Sequence, residues 1–199
     1  MLSSSTYAFH GSDISNSSIG LQWEAQNLSG QTIQAKQQQG LIRIYFFGFT
    51  QCPDICPTTL VTLSTLFKQL SPKQAKQVRI VMVTVDPERD TAEILRRYLA
   101  HFDDCLQLSD ASTPPSTATP ASCTPHFEGI TGSMEQVKQM AKSFKVFFRK
   151  IPLQNGTTYT MEHSANLFVM DKSGKPRLLY YSDVDTALLA EDIRALLAK

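Results

Sequence analysis

Apolar residues in this chain fall into stretches with distinct periods. Residues 41–49, LIRIYFFGF, form a β-branched and aromatic run that predicts a central strand buried on both faces. Residues 78–86, VRIVMVTVD, predict a second such strand. Between them, TTLVTLSTLFKQLS (58–71) places Leu60, Leu63, Leu66, Phe67 and Leu70 at helical spacing, which predicts an amphipathic helix. TAEILRRYLAHF (91–102) predicts a second helix. SMEQVKQMAKSFKVFF (133–148) predicts a third, entered through Ser133 as N-cap with Gln136 three positions on. NLFVMDKSGKPRLLYY (166–181) reads as a hairpin around Ser173 and Gly174, and DTALLAEDIRALLA (185–198) as a closing helix. Near the start, IGLQWEAQNLSGQTI (19–33) alternates apolar and polar residues around Ser29-Gly30, which predicts an N-terminal β-hairpin.

This order predicts an α/β fold with a central mixed sheet flanked by helices, in one domain spanning 1–199. Residues 1–18 are polar and are expected to be loose, with 1–8 as a flexible lead. Their Ser-rich composition, without a basic region or an apolar core, does not match a signal peptide. Residues 103–126, rich in Ser, Thr, Pro and Ala, interrupt the pattern and are expected to form an inserted surface loop. Hydrophobic residues make up 42% and charged residues 19%, as in a globular protein. A net charge of +1 gives no reason to expect nucleic acid or an acidic membrane surface as partner. No apolar run is long enough to cross a bilayer.

The chemistry concentrates where the first strand ends. In FFGFTQCPDICPTTL (46–60), Cys52 and Cys56 are separated by three residues, and a proline follows each of them. Proline is welcome at the first helical position, so the 58–71 helix is expected to start at Pro57 with Cys56 at its cap. A thiol there feels the positive end of the helix dipole, which favours thiolate. Three readings of the pair stand open. A staple closing so small a loop would restrict the unfolded chain little. A redox couple is served by sulfurs within disulfide reach. A metal clamp of two thiolates suits Cu(I) better than zinc, which wants four ligands.

His163 is the candidate third ligand. In an α/β sheet, ligands gather outside the carboxyl ends of strands. The Cys loop follows the 41–49 strand, and His163, expected in the loop leading into 166–171, reaches the same edge if those strands are antiparallel. Other residues have plainer readings. Asp54 reads as a solvated loop carboxylate, Asp90 as the N-cap of the 91–102 helix with Glu93 following, Met161 as core and His10 as exposed. Asp86 ends a strand on the same side of the sheet; it either helps cap that helix or supports His163 from behind.

Three segments in order, FFGFTQCPDICPTTL, VTVDPERDT (83–91) and EHSANLFVMD (162–171), resemble the Sco/SenC family of copper-handling proteins. GITGSMEQVKQMAKSF (129–144) resembles that family's third helix, and the likeness runs from about Phe9 to the C-terminus. The resemblance implies a thioredoxin-like fold and copper, as Cu(I) or Cu(II), held by Cys52, Cys56 and His163. It implies a role in assembling the binuclear copper centre of cytochrome c oxidase. The implied partners are the oxidase's copper-binding subunit and another copper chaperone as donor. It also implies an extracytoplasmic place, in the bacterial periplasm or the mitochondrial intermembrane space, with a membrane tether outside this chain. An alternative use of Cys52 and Cys56 is thiol–disulfide reduction of the oxidase's copper-binding cysteines, with a Cys52–Cys56 disulfide in the oxidised form.

The 103–126 insertion departs from the family pattern. Its Cys105 and Cys123 are expected to form a structural disulfide, worth about 3 kcal/mol in the chain-entropy account. The competing readings are a Cys2His2 metal site with His101 and His126, and two idle thiols.

Overall fold

The computed structural model describes residues 7–107, 124–153 and 158–198. In chain order these form β1 (Ser12–Asp13), β2 (Glu24–Asn27), β3 (Thr32–Gln34), β4 (Ile42–Gly48), α1 (Ile55–Lys68), α2 (Pro72–Ala75), β5 (Val78–Thr84) and α3 (Ala92–Leu99). Then come α4 (Asp104–Gln107), β6 (Phe127–Thr131), α5 (Met134–Phe144), β7 (Phe148–Pro152), β8 (Tyr159–His163), β9 (Asn166–Met170), β10 (Pro176–Tyr181) and α6 (Thr186–Leu197).

The main sheet has the order β1-β10-β9-β4-β5-β6-β2-β3. Its centre, β4-β5-β6, is parallel, and β9 joins β4 antiparallel. Every residue of β4 is buried, as its unbroken apolar run predicts. Its alternate side chains serve two cores. Ile42, Ile44 and Phe46 pack with Leu60, Leu63 and Leu66 of α1, Leu95 of α3 and Ile193 of α6. Tyr45 and Phe47 share the other face with Trp23, Met140 and Phe144 of α5, and Met161 and Phe168. Both cysteines of the 46–60 motif touch this second core. A mixed sheet between helices is the fold class that the apolar pattern predicts.

Several expectations shift in detail. The N-terminal hairpin is present as β2-β3, with Gly30 at φ 72° in its turn and the Asn27 side chain accepting from the amides of Ser29 and Gln31. The third helix keeps its Ser133–Gln136 capping box but stops at Phe144, because Lys145 adopts a left-handed conformation with φ 57°. Phe148 therefore begins a strand instead of ending a helix. Pro57 is the third residue of α1, not the first, since the helix starts at Ile55. A proline costs nothing there, because the first amides of a helix have no partner within it.

The ends of the insertion are structured. The buried carboxylate of Asp103 accepts from the amides of Cys105 (3.1 Å), His126 (2.6 Å) and Phe127 (2.9 Å), so it ties α4 to the start of β6. The Cys105–Cys123 pairing falls partly on Cys123, which lies outside the described residues. For the Cys2His2 alternative, the His101 ring sits beside the Arg97 carbonyl and His126 stacks on Phe67 at 4.1 Å.

The N-terminal segment is also tied down from Tyr7 onward, and the remainder of the expected flexible lead, residues 1–6, lies outside the described residues. Fully buried Asp192 on α6 accepts from the Tyr7 hydroxyl (3.0 Å), the amides of His10 (2.9 Å) and Gly11 (3.0 Å), and the Tyr180 hydroxyl. The His10 ring pairs with Glu191 at 3.0 Å. Main-chain bonds to one carboxylate leave no apolar period, so the pattern reads as loose. Asp192→Ala should strand several donors, each costing about 1–3 kcal/mol if left unsatisfied. We expect a loss of about 3 kcal/mol in urea unfolding. A loss below about 0.5 kcal/mol would show that this carboxylate does not hold the segment.

Candidate metal centre

Chain direction places the cysteines. β4 ends at Gly48, and the chain must turn before entering α1. The turn is fixed from below by Asp90, a fully buried carboxylate that accepts from the Thr50 amide (3.0 Å), the Thr50 hydroxyl (2.6 Å) and the Thr84 hydroxyl (2.7 Å). Asp90 is thus not the N-cap of α3. Thr91 caps that helix, its side chain accepting from the Ile94 amide (3.3 Å). Both residues suit a cap, and the donors of Thr50 and Thr84 decide between them.

Cys52 sits in the turn, partly buried, and Cys56 is the buried second residue of α1. The Asp54 side chain makes no cap bond; the Cys52 sulfur does that work by accepting from the Cys56 amide at 3.4 Å. Gly48 makes room for the second sulfur, because a Cβ there would lie 2.7 Å from Cys56 Sγ. A lone glycine at the end of a buried strand is the sequence signal for such close approach.

His163 is not in a loop, as the sequence suggests, but at the end of β8, a strand of a separate antiparallel hairpin with β7. Its Nδ1 lies 3.0 Å from the Ser164 carbonyl. A carbonyl can only accept, so Nδ1 donates to it, and Nε2 is the ring nitrogen beside the sulfurs. Nε2 lies 3.8 Å from Cys56 Sγ, and the ring stands edge-on to Phe49 at 5.9 Å between centroids. The two sulfurs and an imidazole nitrogen all lie within 4.8 Å of one another; they form the cluster of metal-capable donors found among the described residues. A remote ring N–H donated to a carbonyl is the usual arrangement of a metal-ligating histidine.

The thiols are unequal. A hydrogen bond from Cys56, with help from His163, stabilises thiolate at Cys52 and pulls its pKa down to about 4, against the opposing effect of burial. The same bond and burial push the Cys56 thiol up. The pair therefore holds one ready thiolate facing outward and one protonated thiol behind it.

Asp86 touches His163 only through the strand that carries it. Fully buried, it accepts from the Tyr159 hydroxyl at 2.8 Å and pairs with Arg89. Arg89 donates to the Tyr159 carbonyl (2.9 Å) and the Gln51 side chain (2.9 Å), and its guanidinium lies 3.8 Å from the centre of the Tyr159 ring. One arginine thus joins the residue before Cys52 to the strand ending in His163. VDPERD (85–90) carries this latch, but its sequence shows only cap-like spacing. Met161 is buried in the second core, as expected.

The sequence pattern of the SCO1/SenC family matches residues 11–108 and 117–198. A SCO2-like protein of Rickettsia felis is 31% identical over 172 residues, which cover 84% of this chain and 72% of the relative. The apo Sco1 structure from Thermus thermophilus superposes with a TM-score of 0.75 at 31% identity, covering 96% of this chain and 99% of that one. The structure of Bradyrhizobium japonicum ScoI with copper bound gives 0.70 at 28% identity, covering 89% and 99%. These likenesses span the sheet, the Cys loop and the His163 hairpin alike, and the chain belongs to the SCO1/SenC family.

Proposed function

We propose that this protein is a copper metallochaperone. Its cargo ion is held by Cys52, Cys56 and His163 and is passed on during assembly of the binuclear copper centre of cytochrome c oxidase. The observation that carries the reading is the convergence of two sulfurs and an imidazole nitrogen within 4.8 Å. Two thiolates and one imidazole suit soft, low-coordinate Cu(I); a structural zinc site would need a fourth protein donor. The likeness to Bradyrhizobium ScoI, whose structure has copper bound, supports the choice of metal. The oxidase role rests on family membership. It carries with it an acceptor subunit, a donor chaperone and an extracytoplasmic setting with a membrane tether.

The thiol asymmetry favours a second use of the same residues. The Cys52 thiolate, partly exposed, attacks a disulfide and releases one thiolate of the target. Cys56 then passes its proton to the released thiolate, attacks the Cys52 sulfur and releases the second thiolate. Two electrons leave this dithiol as its own disulfide forms. Such a reaction would reduce the oxidase's cysteines before metal arrives. Metal delivery needs His163 as a ligand, whereas the exchange uses it only to support the Cys52 thiolate.

Reduced protein should bind one copper per chain, with X-ray absorption of the Cu(I) form showing two sulfurs and one nitrogen. Cys52→Ser, Cys56→Ser and His163→Ala should each weaken binding by more than the 10–100-fold typical of losing a supporting group behind a ligand. An unchanged ligand set and affinity in His163→Ala would remove the histidine from the site.

A second test follows from the lowered Cys52 pKa. In metal-free protein, alkylation at Cys52 should be nearly flat from about pH 5.5 to 8 and fall off through about pH 4. An ordinary thiol would instead gain rate through about pH 8.5. Peptide mapping should place the adduct on Cys52, and a midpoint above pH 7 would contradict the hydrogen-bonded thiolate.

The Asp86–Arg89–Tyr159 latch predicts that Asp86→Asn lowers Cu(I) affinity by about 10–100-fold. Amide exchange along Tyr159–His163 should speed up at the same time. Wild-type affinity and exchange would leave Asp86 with a purely structural place.

A further inference from the structure

At the end of the main sheet opposite the Cys loop, β4 and β5 carry arginines at paired positions. Arg43 and Arg79 are direct neighbours in the parallel register, so their side chains leave the same face. Like charges side by side on a sheet destabilise it unless something answers them. Glu128 on β6 answers both in part. It accepts from Arg43 Nε at 3.2 Å and lies 3.8 Å from Arg79 Nε. Arg79 turns Nη1 to the carbonyls of Val78 (2.7 Å) and Lys76 (3.2 Å). The other nearby carboxylate, Asp103, already accepts from three backbone amides. A third arginine, Arg96 of α3, reaches over and donates to the Leu28 carbonyl at 2.8 Å.

These groups line one open pocket of about 420 Å³ together with Leu106, Pro125 and Asn27. Among the described residues its charged lining is three guanidiniums and one carboxylate. Arg43 is 9% exposed. Its Nη1 is shielded from solvent and has no hydrogen-bond partner among the described residues. A planar fork of donors is the shape that carboxylate and phosphate oxygens match.

We propose that this cavity is a binding site for a small multivalent oxyanion, a polycarboxylate or a phosphorylated small molecule. Arg43 and Arg79 grip one anionic group side by side, and Arg96 meets a second at the mouth. The volume suits a small organic ligand and exceeds what inorganic phosphate alone would fill. The site lies at the opposite end of β4 from Cys52 and Cys56, and it does not depend on the copper reading.

The test is calorimetric titration of the full chain with citrate, with inorganic phosphate and with an acidic peptide, at constant ionic strength held with sodium chloride. We expect saturable binding of one citrate per chain, and of phosphate more weakly. NMR shifts should be confined to the Arg43, Arg79 and Arg96 side chains and the β6 amides. Arg43→Met keeps the apolar stem and should lower citrate affinity at least 10-fold while leaving Cu(I) binding unchanged. Arg96→Gln, at the cavity mouth, should lower it severalfold and serves if Arg43→Met does not fold. No saturable binding of citrate or phosphate beyond the chloride control would overturn the proposal. Binding of the acidic peptide alone would overturn it in favour of a protein partner, and equal citrate affinity in both variants would place the anion elsewhere.

Discussion

The Asp90 carboxylate, fully buried beneath the Cys loop, would be expensive to place there alone. Burial pushes its pKa up, and the bonds from Thr50 and Thr84 oppose that shift. Those bonds decide where the chain leaves β4. Thr50 is held two residues before Cys52, so the first sulfur cannot drift away from the start of α1. From there the geometry propagates. The Cys52 sulfur caps the Cys56 amide, the helix fixes the second sulfur, and Gly48 leaves the space that sulfur occupies. The Thr131 hydroxyl donates to the Asp90 carbonyl at 3.1 Å, so the same residue also ties the end of β6 into this frame.

The third donor arrives on a different footing. The β7-β8 hairpin pairs with no strand of the main sheet. It is seated by Met161 and Phe148 against the second core and by Arg89 against the Cys loop. A polar latch and a one-sided apolar contact hold less firmly than a central strand. The sulfurs thus belong to the rigid part of the fold and the imidazole to an appended part. Elements of low local stability are where binding sites usually find their freedom to open. A site that must release its ion gains from having one ligand on such an element.

Much of this was legible in the sequence, and the reasons differ by segment. β4 and β5 are buried on both faces, so nearly every residue is apolar and the strand is plain. The cysteine spacing and the later histidine carry chemistry whatever the backbone does around them. The β7-β8 hairpin was hidden, because only one face of each strand is covered and KSFKVFF continues the apolar period of α5. The helix actually ends at Phe144, stopped by Lys145, a left-handed residue that no glycine announces. The Asp90 and Asp86 networks were hidden for another reason. Two of their partners, Thr50 and Tyr159, come from distant parts of the chain, and no local pattern records a contact across 40 or 73 positions.

The same protonation pattern underlies both proposed chemistries and sets them in competition. Cys52 is a ready thiolate, and Cys56 keeps its proton because that proton is what stabilises the thiolate. A soft metal ion needs both sulfurs deprotonated, so binding must expel the Cys56 proton and replace the hydrogen bond with a stronger attraction for both sulfurs. A disulfide exchange keeps that proton until the second step, when Cys56 must attack. His163 is a ligand only in the first account, through the Nε2 that stands beside the sulfurs while Nδ1 donates to the Ser164 carbonyl; in the second it only supports the Cys52 thiolate. Thiol exchange does not call for an imidazole nitrogen held 3.8 Å from the resolving sulfur. The care with which the fold presents it is the physical reason to rank metal handling first and thiol exchange second.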